Sequence, residues 1–284
     1  MTVHSDDTPI LVLGGTGKTG QRVVKRLIEE GSTVRVGSRS AVLPFDWDAP
    51  ETWAPAIEGT RAIYIAYYPD LAVPGALETV SAFVDTALRV GVKRMVLLSG
   101  RGEEEAEQTE QMLIASGADW TIVRASWFFQ NFSETFLAEA VNSGEVALPI
   151  GDVKEPFIDV DDIAEVAAAA LIDPAHIGML YEVTGPELLN FSEAVASIAA
   201  ATGRPIRYRQ IPAVDYKAAM EQAGVPQDMI SLVLYLFTTV LDGRNANVTD
   251  GVSQALGHPP RRFADYVRRT AEAGAWSAET PVRV

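Results

Sequence analysis

The feature that most constrains this chain is its opening unit, residues 10–30, "ILVLGGTGKTGQRVVKRLIEE": an apolar run, a glycine-rich turn, then a helical pattern. Residues 10–13 read as a buried strand. Residues 19–30 read as a helix with Val23, Val24, Leu27 and Ile28 on one face. Between them, Gly-Lys-Thr suggests a triphosphate loop. That loop needs Gly-x-x-x-x-Gly-Lys-Ser/Thr, and with Gly17-Lys18-Thr19 its first glycine falls on Val12, inside the strand. The spacing excludes it. The alternative, Gly-x-x-Gly-x-x-Gly, is met by Gly14, Gly17 and Gly20. The first glycine permits a sharp turn out of the strand, the second lets backbone amides approach a pyrophosphate, and the third lets the helix lie close to the sheet. Lys18 then stands at the helix start, on the rim of a phosphate site.

The same rhythm continues. Short apolar runs at 33–37, 62–66, 94–99 and 120–123 read as strands, with helical segments near 78–90 and 103–115. Strands separated by helices pair in parallel, because each crossover has to cover a sheet face. The expected fold is α/β, a Rossmann-type doubly wound parallel sheet, in a dinucleotide-binding domain over 9–150. After Val123 the pattern changes to an aromatic stretch, "SWFFQNF", and a short strand at 146–150. An alanine-rich helix at 163–172 and a strand at 180–184, within 151–185, are expected to complete the sheet. A helix at 192–202 and further helical segments to Thr270 suggest a smaller, mainly helical C-terminal substrate lobe over 186–284. Residues 1–8 are polar and expected to be a flexible N-terminus.

Composition narrows the partners. Lys and Arg number 23 against 38 Asp and Glu, a net charge of −15. Such a surface repels phosphate backbones, so no nucleic-acid partner is expected. The absence of cysteine removes disulfides, thiolate nucleophiles and cysteine-held metals. His4, His176 and His258 show no ligand spacing, and no metal is expected. No basic-then-apolar leader opens the chain, and no apolar run reaches the roughly 18 residues of a membrane span. The segment 230–241 suits either core or a dimer face, so monomer and homodimer both stay open. The expectation is a soluble, cytoplasmic protein.

Cofactor choice is written at the end of the second strand. NAD binders place an Asp or Glu there to bind the ribose hydroxyls. This chain has "VRVGSRS", with Ser38, Arg39 and Ser40 and no acid. A guanidinium pairs with a 2′-phosphate and hydroxyls donate to it, so NADP(H) is expected.

Taken in order, "LVLGGTGKTG", "SRS", "FDWDAPETW", "VLLSG", "SGADWTIVRASWFFQNF" and "PFIDVDDIAEVAAAAL" give a chain that resembles the NmrA-like branch of the atypical short-chain dehydrogenases. Within it, the chain is most similar to the group of ergot-alkaloid biosynthesis reductases (agroclavine and festuclavine dehydrogenases). The resemblance spans residues 9–267. It implies an NADPH-dependent reductase of imines, quinones or dyes, or else a cofactor-sensing regulator without turnover. It assigns Gly14, Thr16, Gly17, Lys18, Thr19 and Gly20 to the pyrophosphate and Arg39 to the 2′-phosphate. Asp46 and Trp47 fall near adenine, in a loop after a third strand. Ala66 and Tyr67 end a fourth strand on the ribose or nicotinamide side, and Ser99 and Gly100 end a fifth.

The acid of ordinary short-chain dehydrogenases is missing. None of the 8 tyrosines is followed by lysine four residues later, so the pair that protonates an alkoxide is absent. The segment that would carry it, "RGEEEAEQTEQMLIASG", has neither residue; Glu103, Glu104, Glu105, Glu107 and Glu110 read as a solvated face. The lysine of isoflavone-reductase relatives is absent too. An iminium ion needs no proton in its transition state, so positioning of a nicotinamide supplies much of its reduction. Substrate candidates follow the sixth strand of the same count: Trp127, Phe128, Phe129 and Phe132 as an aromatic wall or as core. Asn131 and Gln130 are polar fixtures there, with Phe157 and Asp159 further on. Tyr67, Tyr68 and Ser99 offer hydroxyls. Catalytic candidates are Tyr67, Ser99 and Trp127. The expected reaction is hydride transfer from NADPH to an imine, iminium or other conjugated electrophile, flat or cyclic. The alternatives are a quinone or dye reductase, a non-catalytic NADP(H) sensor, and a dinucleotide-assisted isomerase or cyclase.

Overall fold

The computed structural model describes residues 8–277. Contacts divide the chain into two units. The first runs to Ala125 and also takes in Val160–Val183 and Asp250–His258. Its six strands are β1 (Ile10–Leu13), β2 (Val34–Gly37), β3 (Ala62–Ile65), β4 (Arg94–Gly100), β5 (Asp119–Ala125) and β7 (Met179–Val183). They are all parallel, in the order β2-β1-β3-β4-β5-β7. The direction of strand addition therefore reverses between β1 and β3, the place where open α/β sheets bind ligands beyond the strand ends.

Helices cover both faces, which is why the central strands are apolar throughout rather than alternating. Leu11, Leu13, Ile63, Ile65, Met95 and Leu97 pack against α2 (Trp53–Ile57), α3 (Ala76–Arg89) and α4 (Glu104–Ala115) through residues such as Ile57, Phe83 and Leu113. On the other face, Val12, Tyr64 and Val96 are fully buried, and α1 (Lys18–Glu29) and α7 (Val160–Ile172) pack together. Arg22 Nε donates to Asp161 Oδ1 at 3.1 Å and Arg26 pairs with Glu165, tying these two helices. A short helix α11 (Gly251–Leu256) lies on β7; a side chain at Gly251 would strike the Glu182 backbone.

The strand count differs from expectation. No strand lies between Gly37 and Ala62. That stretch carries Pro44, Pro50 and Pro55 with Asp46 and Asp48, and forms turns, a 3-10 turn at Pro50–Thr52 and α2 instead. Prolines remove ladder donors and the segment lacks strand alternation. Asp46 and Trp47 therefore follow the second strand, Ala66 and Tyr67 the third, Ser99 and Gly100 end the fourth, and the aromatic stretch follows the fifth.

The second unit comprises Ser126–Asp159, Thr184–Thr249 and the residues from Pro259. It holds α5 (Asn131–Glu134), α6 (Phe136–Ser143), α8 (Phe191–Thr202), α9 (Ala213–Gln222), α10 (Gln227–Tyr235) and α12 (Phe263–Glu272). A π-helical turn, Leu236–Val240, extends α10. The lobe is not purely helical: β6 (Glu145–Leu148) pairs in parallel with β8 (Arg207–Gln210). The boundary expected at residue 150 also moves, to Ala125/Ser126, because β6 finds its partner in β8 and not in the large sheet. No helix among the described residues is long and apolar enough to cross a membrane.

Candidate functional site

The glycine turn sits at the reversal of strand order. Gly14 has φ +62°, a left-handed conformation that glycine adopts without strain, and its carbonyl accepts from Gly17 N at 2.8 Å. A β-carbon on Gly14 would stand 3.6 Å from Ala66 Cβ, so the turn after β1 rests on the residue after β3. Gly20 is the tightest of the three: its β-carbon would strike the Gly14 carbonyl and lie 2.7 Å from Gly15 Cα. Helix α1 starts from this turn with no side-chain cap and no acidic residue in its first turn. Helix starts carry unmet amides and a partial positive charge. The turn thus fits a dinucleotide pyrophosphate. Thr16 and Gly17 are exposed, Lys18 is half-buried at the first helical position, and Thr19 is buried against the sheet.

Beyond β2, Gly37 packs on Leu13 and leads to Ser38, Arg39 and Ser40. Arg39 is exposed and makes no ion pair among the described residues. The Ser38 and Ser40 hydroxyls lie 3.4 Å apart beside it. A phosphate-sized anion would meet a guanidinium and two hydroxyls there, with no carboxylate at the strand end. The following loop is fixed by Trp53 Nε1 donating to the Asp46 carbonyl at 2.7 Å, while the Asp46 carboxylate accepts from Asp48 N. Trp47 is half-buried and its ring lies 4.9 Å from both Phe45 and Tyr67. Trp47 and Tyr67 therefore pack on the α3-side core while retaining some exposure. Tyr68 is 73% exposed.

Two expectations around β4 are corrected. Ser99 is 4% exposed, and its hydroxyl donates to Glu110 Oε1 at 2.5 Å, so it is a support under the strand rather than a group offered to a ligand. Glu103 and Glu110 do not belong to a solvated face: they are 8% and 0% exposed. Alternation decides this. Ser99 and Arg124 are register partners pointing to the α4 side, and Glu110, one turn from the buried Ala106 and Leu113, meets both. Arg124 Nε donates to Glu110 Oε1 at 2.9 Å, and its Nη2 bonds Oε2. Arg101, likewise buried, pairs with Glu182 of β7.

Glu103 sits differently. Its carboxyl folds back over Gly100, filling the place a β-carbon there would take. It lies beside the carboxyl of Asp70 from the loop after β3. Burial, then the Asp70 charge, pushes the Glu103 pKa well above the carboxylate range; burial also raises that of Asp70. Sequence reasoning missed this pair, because Asp70 and Glu103 meet only through the β3–β4 pairing.

The chain matches the model of the NmrA-like family over residues 6–257. It belongs to the NmrA-like family. Curated relatives agree along nearly the whole length. The chain is 31% identical to the NAD(P)H azoreductase of Xenophilus azovorans, covering 93% of this chain and 98% of the relative. It is 30% identical to agroclavine dehydrogenase of Claviceps fusiformis, covering 91% and 96%. Among solved structures, the NADPH-dependent quinone oxidoreductase of Escherichia coli complexed with NADPH matches the fold with TM-score 0.77 and 21% identity, over 92% of this chain and 99% of that one.

In the second unit of this NmrA-like protein, the aromatic stretch is mostly core. Phe129, Phe132 and Phe157 are 1%, 0% and 2% exposed. Their rings pack on Phe191, Phe263 and Tyr266 at centroid distances of 5.0–5.9 Å. Enclosed rings have no free face to offer a substrate, which corrects their expected wall role. Trp127 and Phe128 are half-buried; Trp127 stacks on Phe237 at 5.3 Å with an 18° interplanar angle. Asn131 is half-buried at the start of α5. Gln130 is buried and donates to Asp159 Oδ1 at 2.7 Å, whose Oδ2 accepts from Arg269 at 2.9 Å. That trio is structural. His4 lies outside the described residues.

Proposed function

We propose that this NmrA-like protein is an NADPH-dependent oxidoreductase of flat or cyclic conjugated electrophiles, with imines and iminium ions foremost. The observation that carries the reading is one sheet edge with two features. The Gly14–Gly20 turn opens on an uncapped helix, and Arg39 stands where NAD binders keep a carboxylate. In this reading Gly14, Thr16, Gly17, Lys18, Thr19 and Gly20 hold the pyrophosphate. Ser38, Arg39 and Ser40 hold the 2′-phosphate. Asp46 and Trp47 flank the adenosine, and Ala66, Tyr67 and Gly100 the ribose and nicotinamide side. The cofactor supplies a hydride when bound. In the first unit, Tyr67 and Tyr68 keep exposed surface beyond the strand end and are the candidates for contact with the acceptor; the second unit, taken by itself, offers Trp127, Phe128 and Asn131 as the substrate candidates that keep exposed surface. An iminium carbon needs orientation more than acid, which suits a site without a Tyr-Lys pair.

A quinone or dye reductase is the second reading, supported by the azoreductase named above. The test mixes protein with NADPH and a panel of cyclic imines, quinones, azo compounds and triarylmethane dyes, following nicotinamide absorbance. Oxidation with imines supports the first reading, and oxidation with quinones or dyes alone the second. Tight NADPH binding without oxidation by any acceptor makes the protein a sensor. No NADPH binding at all overturns both reductase readings.

A further inference from the structure

We propose that Glu103, its carboxyl buried over the strand end at Gly100 beside Asp70, is the proton donor of this site, so that the protein reduces acceptors that must be protonated as they receive hydride. The inference rests on the reductase reading above and names the acid that reading lacks.

Geometry assigns the proton. Glu103 Oε2 is buried without a hydrogen-bond partner, and the side chain lies beside another carboxyl, Asp70. A buried carboxylate oxygen that no donor meets is costly, and two carboxylates side by side do not both ionise. Asp70 Oδ1 accepts from the backbone N–H of Ala72 at 2.9 Å. Amides stabilise the charged form, and no donor meets the buried Glu103 Oε2, so Asp70 holds the charge and Glu103 the proton. Glu105 and Glu110 of α4 add negative charge in the same sense. The nearby arginines each face another carboxylate: Arg101 pairs with Glu182, and Arg124 with Glu110.

Placement makes the acid useful. Asp70 follows β3 and Glu103 follows β4, both beyond the carboxyl ends of adjacent parallel strands. The Glu103 carboxyl lies directly over Gly100, the strand-end residue that the proposed function puts on the ribose and nicotinamide side. The anchored neighbours Ser99 and Arg101 hold that turn from beneath. In the step, hydride adds its electron pair to one atom of an N=N, C=N or C=O bond. The π pair moves to the other atom, and that atom takes the Glu103 proton as the O–H bond breaks. Glu103 is left as a carboxylate and is reprotonated from water.

The test uses the full chain and Glu103→Gln, which preserves shape but holds no transferable acid proton. Azo reduction is expected to fall by about 100-fold or more, the usual weight of a general acid, with a smaller loss for a preformed iminium ion. The NADPH dissociation constant is expected to stay within about threefold. In wild type, the azo rate falls as pH rises through the Glu103 pKa; the substitution removes that limb. Asp70→Asn removes the charge that disfavours ionisation and shifts the limb to lower pH, a change mere structural damage does not produce. Independently of turnover, infrared spectra of wild type at neutral pH are expected to show a protonated carboxylic acid band that Glu103→Gln lacks. Azo rates within about threefold of wild type in Glu103→Gln, or no such band in wild type, overturn the proposal. Wild type that oxidises NADPH with no acceptor removes the reductase reading and the donor role with it, whatever the band shows.

Discussion

Gly20→Ala tests the dinucleotide turn at its least forgiving point. The new β-carbon would stand 2.6 Å from the Gly14 carbonyl carbon and 2.7 Å from Gly15 Cα, against the ~3.5–4.0 Å that carbon atoms prefer. Neither neighbour is a side chain that can swing away, so α1 or the turn must move by about 1 Å. The helix resists because Arg22 and Arg26 hold it to α7 through Asp161 and Glu165. Overpacking of this kind costs about 1–3 kcal/mol, partly offset by the ~1 kcal/mol that alanine gains over glycine in a helix. At ~2–4 °C per kcal/mol, Tm should drop by a few degrees. Binding should suffer more: a charge-assisted hydrogen bond to the pyrophosphate is worth ~1.5–3 kcal/mol, so losing one raises the NADPH Kd by roughly 10–100-fold. Differential scanning fluorimetry and nicotinamide fluorescence titration measure the two quantities. Gly31→Ala is the control, since Gly31 has φ +80° with nothing within 4 Å; strain lowers its Tm but its Kd should not change. A Gly20→Ala protein with wild-type Kd would refute the turn as a pyrophosphate cradle.

Arg39→Asp should raise the NADPH Kd about 10–100-fold by losing a guanidinium–phosphate pair while leaving NADH binding equal or better; equal losses for both, measured by fluorescence titration, exclude the 2′-phosphate role. Glu110→Gln breaks the ion pair of the fully buried Glu110 with the half-buried Arg124 and should cost about 3 kcal/mol, read as a lower midpoint in urea. Phe132→Ala should cost about 3–5 kcal/mol with NADPH Kd unchanged, since its ring is enclosed by Phe157, Phe191 and Phe263. For Glu103, a raised folded pKa means the native state binds more protons than the unfolded chain, so stability falls as pH rises from the ordinary value near 4.5 through the folded pKa. Glu103→Gln should flatten that part of the urea-midpoint profile; an unchanged slope would contradict the burial-driven shift.

What the sequence revealed and what it hid follow from the range of the interactions. The strand–turn–helix at residues 10–29 is local: each glycine's role follows from its spacing, and the structure adds only which backbone atoms meet. The absent third strand was hidden because the family resemblance supplied it, although Pro44, Pro50 and Pro55 argue against one. β8 was hidden because "RYRQ" has little apolar alternation and is held by its partner β6. The phenylalanines misled for a related reason. An aromatic cluster after a strand looks the same in sequence whether it lines a cavity or fills a core, and only the partners Phe191, Phe237 and Phe263, far along the chain, close that question.

The glutamates of α4 carry this further, because one run of acids divides into three environments over a single helix. Glu104 and Glu107 are exposed and do what a charged run usually does. Glu110 points to the sheet, where a parallel strand offers Arg124, and charge is retained by pairing. Glu103, just before the helix, meets a carboxylate instead, and burial beside it raises its pKa, favouring the neutral acid. A negative surface at −15 gives no cue to this division. It arises from which strand end faces each position, since β5 presents a cation and the loop after β3 an anion. The helix that lacks a Tyr-Lys pair is therefore not bare of chemistry. In the role proposed for it, a glutamic acid at its head would do for an acceptor that needs a proton what a tyrosine does in the ordinary short-chain enzymes, by exclusion of water and a like-charged neighbour rather than by a lysine.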